Sequence, residues 1–247
     1  STIWKGLKRK IKRKQLKDTE AKTIVQRAVG QTDFKGFQGV DVVIEAIVEN
    51  MEIKQKVIQE LETICHEDFI FASNTSSLPL TEMSKAAKKP ENVIGMHYFS
   101  PVPKMPLLEI IKTDQTSEET LATCYEIGKR QGKTCIVVND MPGFYVNRIL
   151  CPYLIEGLLM IEEGVRIEDI DGALTALGMP IGPITLLDEV GIDVGAHVMS
   201  GNMAELLKGR EGFKINYSMP KMFEAGLHGR KAKKGFYNYA MKKGRLR

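Results

Sequence analysis

The chain has 247 residues, of which 43% are hydrophobic and 27% are charged, so it has the composition of a globular protein with one large or two ordinary domains. No apolar stretch approaches the roughly 20 residues that a membrane-spanning helix needs, which argues against a transmembrane segment. The N-terminus is basic and amphipathic rather than a charged stub before an apolar block, so we expect no secretory signal peptide. The net charge of +4 is small but uneven, since residues 5–17 contain eight lysines or arginines and no acid.

The cysteines give no indication of disulfides or of a metal site. Cys65, Cys124, Cys135 and Cys151 lie in apolar or helical contexts and form no C-x-x-C pair. Reduced thiols in an intracellular protein are therefore expected, and we predict no metal ligands.

Residues 2–28 predict one helix with a broken apolar stripe and a lysine-rich remainder. Its charge run has three explanations: a solvated face, a nucleic-acid-binding helix, or a contact with a phosphate-bearing small molecule such as a nucleotide or coenzyme A. The nucleic-acid explanation is the weakest, because the charge does not continue and aromatic residues are not interleaved. We expect no nucleic-acid partner, and the other two alternatives stay open.

A strand–helix pattern follows this helix. Residues 41–48 form a continuous β-branched run typical of a buried parallel strand, with Glu45 inside it and Glu49 at its C-terminal end. The next helix, capped by Asn50, covers residues 51–66. The remaining elements are strands at 69–72, 93–96, 107–111 and 134–138 and helices at 80–88 and 117–131, the latter opened by a capping box over 116–119. This alternation predicts an α/β fold with a parallel, doubly wound sheet.

Only helical periodicities follow residue 142, so we place a domain boundary at 139–143. Residues 1–140 would form the α/β domain and residues 141–247 an all-α domain with helices at 144–162, 167–177 and 184–207 and a looser segment up to 227. The glycine- and proline-rich joint at 178–188 favours tight helix packing. The basic loop at 229–237 would contact a phosphate or a cofactor, or form a solvated tail.

Polar residues collect where the strands end. Glu45 and Glu49 follow one strand and the small polar residues 73–77 follow the next, at the sheet edge where open α/β sheets bind their ligands. A simple turn and helix cap is the alternative for residues 73–77.

The clearest candidate for chemistry is the pair His97 and Glu109, each at a predicted strand edge. Pro101, Pro103 and Pro106 lie between them and would fold the chain back, which would bring the two side chains together. A carboxylate that accepts from one imidazole nitrogen fixes the tautomer and leaves the other nitrogen free as a general base. A core histidine beside a surface glutamate is the alternative.

These segments, in this order, resemble the L-3-hydroxyacyl-CoA dehydrogenase family, and within it the dehydrogenase part of the multifunctional fatty-acid oxidation enzyme. The resemblance rests on residues 43–50, 71–79, 94–101, 142–150, 183–191 and 229–231. It implies an incomplete Rossmann-type sheet followed by an all-α domain, and NAD-dependent oxidation of L-3-hydroxyacyl-CoA to 3-ketoacyl-CoA in fatty-acid β-oxidation.

The resemblance also implies roles for individual residues. The catalytic residues would be His97, Glu109, Ser76 and Asn147, with His97 as the base and Glu109 orienting it. The residues expected to contact NAD are Glu49, Lys54, Asn74, Ser76 and Lys231. Coenzyme A would be held by Lys12, Arg13 and Ser76.

One departure from the family concerns the cofactor. The family begins with a strand and a G-x-G-x-x-G turn that holds the pyrophosphate, and this sequence contains no such turn. We therefore expect weak or absent NAD binding by this chain alone and an exposed apolar sheet edge. The alternatives are a non-catalytic acyl-CoA-binding or subunit-interaction fragment and, more remotely, a sugar-acid dehydrogenase, which would use a lysine-based site.

The resemblance further implies an acyl-CoA substrate, a homodimer and membership of a larger β-oxidation complex. The expected compartment is the bacterial cytoplasm, or the mitochondrial matrix if the protein is eukaryotic.

Overall fold

The computed structural model describes residues 2–200 and 218–239. The strands are β1 (Val42–Glu45), β2 (Ile70–Ser73), β3 (Val93–Tyr98), β4 (Leu107–Lys112) and β5 (Thr134–Asn139). The helices among and before them are α1 (Thr2–Lys12), α2 (Asp18–Gln26), α3 (Met51–Leu61), α4 (Leu80–Ser84) and α5 (Glu118–Arg130). The predicted features at 201–217 and the basic C-terminal end at 241–247 lie outside the described residues.

The strands form one sheet in sequence order from β1 to β5. β1, β2 and β3 pair in parallel, as do β4 and β5, but β3 and β4 are antiparallel. The predicted α/β class is confirmed, whereas the prediction of a wholly parallel sheet is wrong at the β3–β4 pair. Residues 99–106 turn the chain back directly, while a parallel pair would need a crossover of about a dozen residues or more.

Helices cover both faces of the sheet because its strand residues alternate between two apolar clusters. The face under α3 and α4 buries Ile58, Leu61, Phe71, Leu80, Met83, Val93 and Ile111. The face under α5 buries Ile70, Ala72, Ile94, Met96, Leu108, Ile110 and Cys124. The doubly wound arrangement follows from this alternation.

β1 is the edge strand of the described sheet, and it is shorter than the predicted strand over residues 41–48. The Ile47 N–H donates to Glu45 Oε1 at 2.6 Å, which bends the chain away after Glu45. Ile44 and Val48 are 41% and 62% exposed, so this edge carries the apolar surface that we expected.

The prediction of one helix over residues 2–28 is wrong, since α1 and α2 are separated by a turn. Lys14 in this turn has a φ of 57°, a left-handed conformation that cannot continue a right-handed helix. A new helix then starts where the Lys17 N–H donates to the Glu20 carboxylate at 2.8 Å.

Of the two predicted helix caps, one is correct and the other is one residue too early. Asn50 Oδ1 accepts the Ile53 N–H at 3.0 Å, which confirms the cap of α3. The cap of α5 is Ser117, whose hydroxyl oxygen accepts the Thr120 N–H, and not Thr116. The Thr116 hydroxyl instead donates to the Val93 carbonyl and so belongs to the preceding turn. Both α3 and α4 end earlier than predicted.

The helical part contains α6 (Val146–Glu162), α7 (Ile167–Ala176), α8 (Pro183–Val190), α9 (Ile192–Ser200) and α10 (Ser218–Glu224). They pack around Ile155, Leu158, Ile170, Ile184, Leu187, Ile192 and Met219. The prediction of one continuous helix from residue 184 onward is wrong, because Gly191 has a φ of 105° and separates α8 from α9.

The glycine- and proline-rich joint packs tightly, as favoured from its sequence. A Cβ added to Gly157 would lie 3.3 Å from Pro183, so α6 and α8 are in close contact. The buried Asp171 carboxylate accepts the Ile184 and Thr185 N–H groups at 2.8 and 3.0 Å and thereby caps α8 from a neighbouring helix.

The basic loop at 229–237 is fixed on α8 and α9, so the alternative of a solvated tail is excluded. Asp188 Oδ1 and Oδ2 accept the Phe236 and Tyr237 N–H groups at 3.0 and 2.9 Å. Arg230 pairs with Glu189, and Lys231 pairs with Asp193.

We expect Gly235→Ala to lower the free energy of unfolding by about 1–3 kcal/mol, because overpacking a closed site forces its neighbours apart. The added Cβ would lie 2.0 Å from Asp188 Oδ1. Urea unfolding followed by circular dichroism measures the change. Gly6→Ala in α1 is the matched control, since nothing lies within 4 Å of its added Cβ. Equal stability of the two variants would contradict the packing argument.

Candidate active site

His97 and Glu109 are direct partners across the antiparallel pair of β3 and β4. The imidazole Nδ1 lies 2.7 Å from Glu109 Oε2, and both side chains are buried, with 6% and 0% of their surface exposed. The opposite nitrogen, Nε2, has no hydrogen-bond partner among the described residues. The alternative of a core histidine beside a surface glutamate is therefore wrong, and the pair has the geometry of an oriented general base.

The second oxygen of Glu109 joins the site to the helical part of the chain. Glu109 Oε1 accepts the N–H groups of Tyr145 and Val146 at 3.0 and 2.9 Å. These amides lie at the N-terminus of α6, where the unpaired N–H groups and the helix dipole favour a negative charge. The carboxylate of Glu109 is therefore held from two sides, by the imidazole and by the helix start.

Two aromatic rings pack against the imidazole of His97. The centroids of Phe99 and Phe144 lie 4.6 and 5.6 Å from that of His97, at interplanar angles of 55° and 59°. Phe144 is buried and adopts a φ of 50°, which is uncommon for a residue with a bulky side chain. The rings restrict rotation of the imidazole and support its hydrogen bond to Glu109.

Glu49 organises the polar loop after β2. Its Oε1 accepts the Thr75 hydroxyl at 2.6 Å and the Ser76 and Ser77 N–H groups at 3.0 and 3.2 Å. Its Oε2 lies 3.3 Å from the Lys54 ammonium. Residues 73–77 therefore form more than the simple turn that was the alternative, because they fold around the carboxylate of Glu49, which lies between β1 and α3.

A buried ion pair lies beneath this loop. The Lys54 ammonium donates to both oxygens of Glu45 at 2.7 and 2.9 Å, and the Ser73 hydroxyl donates to Glu45 Oε2 at 2.6 Å. Lys54 is 1% exposed. Lys54 reaches the polar sheet edge through its ion pair with Glu49. A direct contact between Lys54 and NAD stays a prediction.

Burial acts to raise the pKa of Glu49, but the hydrogen bonds from Thr75 and Ser76 and the charge of Lys54 outweigh it, so the pKa lies below the ordinary 4.5. A carboxyl group with a lowered folded-state pKa stabilises the protein above its unfolded-state pKa and loses that effect as the pH falls.

We expect the stability difference between the wild type and Glu49→Gln to be constant above about pH 4.5 and to shrink below it, as the wild-type carboxylate becomes protonated. Urea unfolding at a series of pH values measures both proteins. A difference that keeps its value down to pH 3 would show that the charged form of Glu49 is not selectively stabilised.

Three of the remaining predicted site residues lie near the sheet edge, and one of them, Asn74, is hydrogen-bonded beside the central pair. Asn74 Oδ1 accepts the N–H of Tyr98, next to His97, at 2.8 Å. Ser76 is exposed beside Glu49, and its hydroxyl has no partner within residues 2–200 and 218–239. Asn147 follows Val146 on the first turn of α6.

The predicted phosphate-contacting residues lie elsewhere. Lys12 ends α1, Arg13 follows it, and both are exposed. Lys231 lies on the loop of the helical part and donates to Asp193. No hydrogen bond or ion pair in the described part of the chain joins these three residues to the sheet edge. Their contacts with NAD and coenzyme A stay predictions.

The cysteines are free thiols. Burial raises the pKa of Cys124 to about 12 and that of Cys151 to about 11, so these two thiols are unreactive near neutral pH. Across residues 2–200 and 218–239 there is no group of three or more potential metal ligands. Nor is any helix in those ranges long and apolar enough to cross a bilayer.

Two sets of contacts that support the site are not predicted from the sequence, although the family resemblance implies that Lys54 contacts NAD. The amides of Tyr145 and Val146 bind Glu109, and Lys54 neutralises Glu45. A helix start that follows the last strand after a Pro-Gly turn was the available signal for the first contact, because helix N-termini bind carboxylates.

Both family models that match the chain describe a dehydrogenase. Residues 1–141 match the NAD binding domain of 3-hydroxyacyl-CoA dehydrogenase, and residues 143–239 match its C-terminal domain. The chain belongs to the 3-hydroxyacyl-CoA dehydrogenase family, which confirms the resemblance found from its motifs.

Individual relatives agree with this assignment. The fatty acid oxidation complex subunit alpha of Idiomarina loihiensis is 47% identical over 236 residues, which cover 96% of this chain and 33% of the relative. The same subunit of Vibrio vulnificus is 46% identical over 235 residues, which cover 94% and 32%. The chain spans about a third of the length of these curated relatives.

Solved structures share the fold. The (S)-3-hydroxybutyryl-CoA dehydrogenase of Ralstonia eutropha has a TM-score of 0.89 and 36% identity, with 97% of this chain and 85% of that chain covered. The 3-hydroxybutyryl-CoA dehydrogenase of Escherichia coli K12 has a TM-score of 0.91 and 29% identity, with 99% and 52% covered.

Proposed function

We propose that this chain oxidises L-3-hydroxyacyl-CoA to 3-ketoacyl-CoA in fatty-acid β-oxidation, with NAD as the cofactor. The observation that carries the proposal is the buried His97–Glu109 pair, whose Nδ1 is fixed by the carboxylate and whose Nε2 has no partner among the described residues. Membership of the 3-hydroxyacyl-CoA dehydrogenase family supports it.

In this reaction His97 is the group that transfers the proton of the substrate. Nε2 accepts the proton of the substrate 3-hydroxyl group in oxidation and returns it in the reverse direction. Glu109 keeps the Nδ1 proton in place and stabilises the imidazolium that forms, as carboxylates do in comparable pairs. NAD, when bound, supplies the acceptor for the hydride that leaves C3. Ser76 and Asn147 hold the substrate oxygens through their hydroxyl and amide groups.

The polar groups at the sheet edge fit the nicotinamide end of the cofactor. The hydroxyl of Ser76, which has no partner among the described residues, and the carboxylate of Glu49 suit ribose hydroxyls and a carboxamide, and Asn74 offers an amide close by. Lys54 supports this group through Glu49, and Lys231, which pairs with Asp193 on the loop of the helical part, would contact NAD as the family resemblance implies. Lys12 and Arg13, with Ser76, would serve coenzyme A, whose phosphates suit the basic α1 end.

The experiment that tests the proposal is NADH-dependent reduction of acetoacetyl-CoA by this chain, beside a His97→Gln control. Turnover that the control abolishes would support a working dehydrogenase. No turnover at millimolar NADH, with acetoacetyl-CoA still bound in calorimetry, would contradict it and would favour the non-catalytic acyl-CoA-binding alternative.

We also propose that the helical part forms a homodimer, that the protein works in the cytoplasm, and that it belongs to a larger β-oxidation assembly, as its relatives are subunits of a fatty acid oxidation complex. Exposed apolar side chains on and near the helices support the dimer: Ile149, Leu177, Val190 and Val194. Light scattering should give twice the chain mass of 27.6 kDa. A mass of one chain would contradict the dimer.

A further inference from the structure

The connection between the two catalytic strands has an anchor that the His97–Glu109 pair does not explain. Residues 99–106, here called the catalytic loop, join β3 to β4 and carry Phe99, which packs on the imidazole of His97. Three of these residues are prolines, which have no N–H group. The loop therefore cannot form a regular hairpin ladder, and its carbonyl groups need donors from elsewhere.

Lys133, just before β5, supplies these donors. Its ammonium donates to the carbonyl oxygens of Val102 and Met105 at 2.5 and 2.7 Å. The loop also has internal bonds, since the Lys104 and Met105 N–H groups both donate to the Pro101 carbonyl. One charged side chain thus holds both halves of the turn, and hydrogen bonds from a charged donor are the stronger kind.

The same ammonium lies over the side chain that follows His97. Lys133 Nζ is 6.0 Å from the centroid of the Tyr98 ring, within the range of a cation–π contact. The Tyr98 hydroxyl donates to Gln131 Oε1 at 2.8 Å, and its backbone N–H donates to Asn74 Oδ1. Tyr98 is therefore held by Lys133, Gln131 and Asn74, and the next residue, Phe99, packs on the imidazole of His97.

We infer that Lys133 is a positioning residue of the active site, which fixes the catalytic loop and, through Tyr98 and Phe99, the orientation of the His97 imidazole. It acts through these residues and does not itself touch the reacting atoms. The inference rests on the proposed function for its effect on turnover, but its effect on the imidazole is independent of any cofactor. Misplacement of a catalytic group by about 1 Å costs up to about 100-fold in rate.

The test compares Lys133→Met with Lys133→Arg and with a matched control, Lys129→Met. Lys129 lies over the Tyr125 ring at 5.8 Å and pairs with Glu126, so it shares the contact with a tyrosine ring but does not hold the loop. We expect Lys133→Met to lower kcat for acetoacetyl-CoA reduction by about 10–100-fold with little change in KM for NADH. Arginine, which also donates to two acceptors, should restore most of the activity. Lys129→Met should behave as the wild type.

A second measurement does not need turnover. The chain has four histidines, so the imidazole signals of His97 can be assigned by their loss in His97→Gln and followed by NMR. We expect Lys133→Met to shift or broaden these signals and Lys129→Met to leave them unchanged. Should Lys133→Met fail to fold, Lys133→Gln keeps one donor and is measured in the same way.

The outcomes separate the inference from the proposed function. An inactive wild type would count against the proposed function, and the imidazole signals would then decide the inference alone. Unchanged His97 signals in the Lys133 variant would overturn the inference whether or not the wild type is active. In an active protein, a kcat equal to that of Lys129→Met would also overturn it.

Discussion

Replacement of His97 by glutamine is expected to lower kcat for acetoacetyl-CoA reduction by about 100- to 10,000-fold, the usual contribution of a general acid–base group. Glutamine retains an N–H donor for Glu109 Oε2, so the buried carboxylate keeps a partner and the fold survives. What the variant loses is the second ring nitrogen, which accepts the substrate proton. Steady-state kinetics and NADH titration measure kcat and cofactor affinity separately.

The control for this variant is His66→Gln. His66 is exposed, and its Nδ1 accepts only the Asp68 N–H, at 3.3 Å, among the described residues. It should retain wild-type kcat, and NADH affinity should be similar in both variants. A His97→Gln enzyme with more than a tenth of the wild-type kcat would show that another group transfers the proton, and the assignment of His97 as the base would be wrong.

The second large effect concerns stability. We expect Lys54→Met to reduce the free energy of unfolding by about 3–5 kcal/mol, because it leaves the buried carboxylate of Glu45 without its counter-charge. Both side chains are almost completely buried, with 1% and 2% of their surface exposed, so water cannot compensate for the loss. Urea unfolding near neutral pH measures the change.

Two further variants distinguish the effect of an unpaired buried charge on stability from the effect of losing a lysine side chain. Glu45→Gln combined with Lys54→Met removes both charges and should recover most of the stability, since neutral replacement of a buried pair is often tolerated. Lys85→Met removes an exposed partner of Glu82, also at 2.7 Å, and should cost no more than about 1 kcal/mol. A Lys54→Met protein as stable as Lys85→Met would contradict the argument that loss of the buried counter-charge determines the cost.

The supporting contacts of the site were less predictable than its central pair. The sequence predicts the His97–Glu109 pair because each residue adjoins a short apolar run and prolines lie between them, and these are local signals; the structure places both residues within strands rather than at their edges. The partners of Glu109 Oε1 are the amides of Tyr145 and Val146, which are far along the chain and carry no side-chain signature. A helix start can be predicted from sequence, but its backbone donors can be assigned to a particular carboxylate only when the helix is placed in space.

The predicted ends of helices and strands were wrong where a side chain or a backbone angle interrupted a periodic pattern. Residues 2–28 have enough helical periodicity for one helix, but Lys14 adopts a left-handed conformation and divides it. β1 ends early because the Glu45 carboxylate accepts the Ile47 N–H. Both interruptions are local in the chain, yet neither follows from residue type alone.

The sequence by itself determined the α/β class, the helical second part, the family and the His97–Glu109 pair, because apolar periodicity and short motifs are properties of neighbouring residues. Only the tertiary structure decided the antiparallel β3–β4 pairing, the burial of Lys54 against Glu45 and the anchoring of the basic loop on Asp188. These features join residues that are distant in sequence, and their energies depend on burial and on distances, which exist only once the chain has folded.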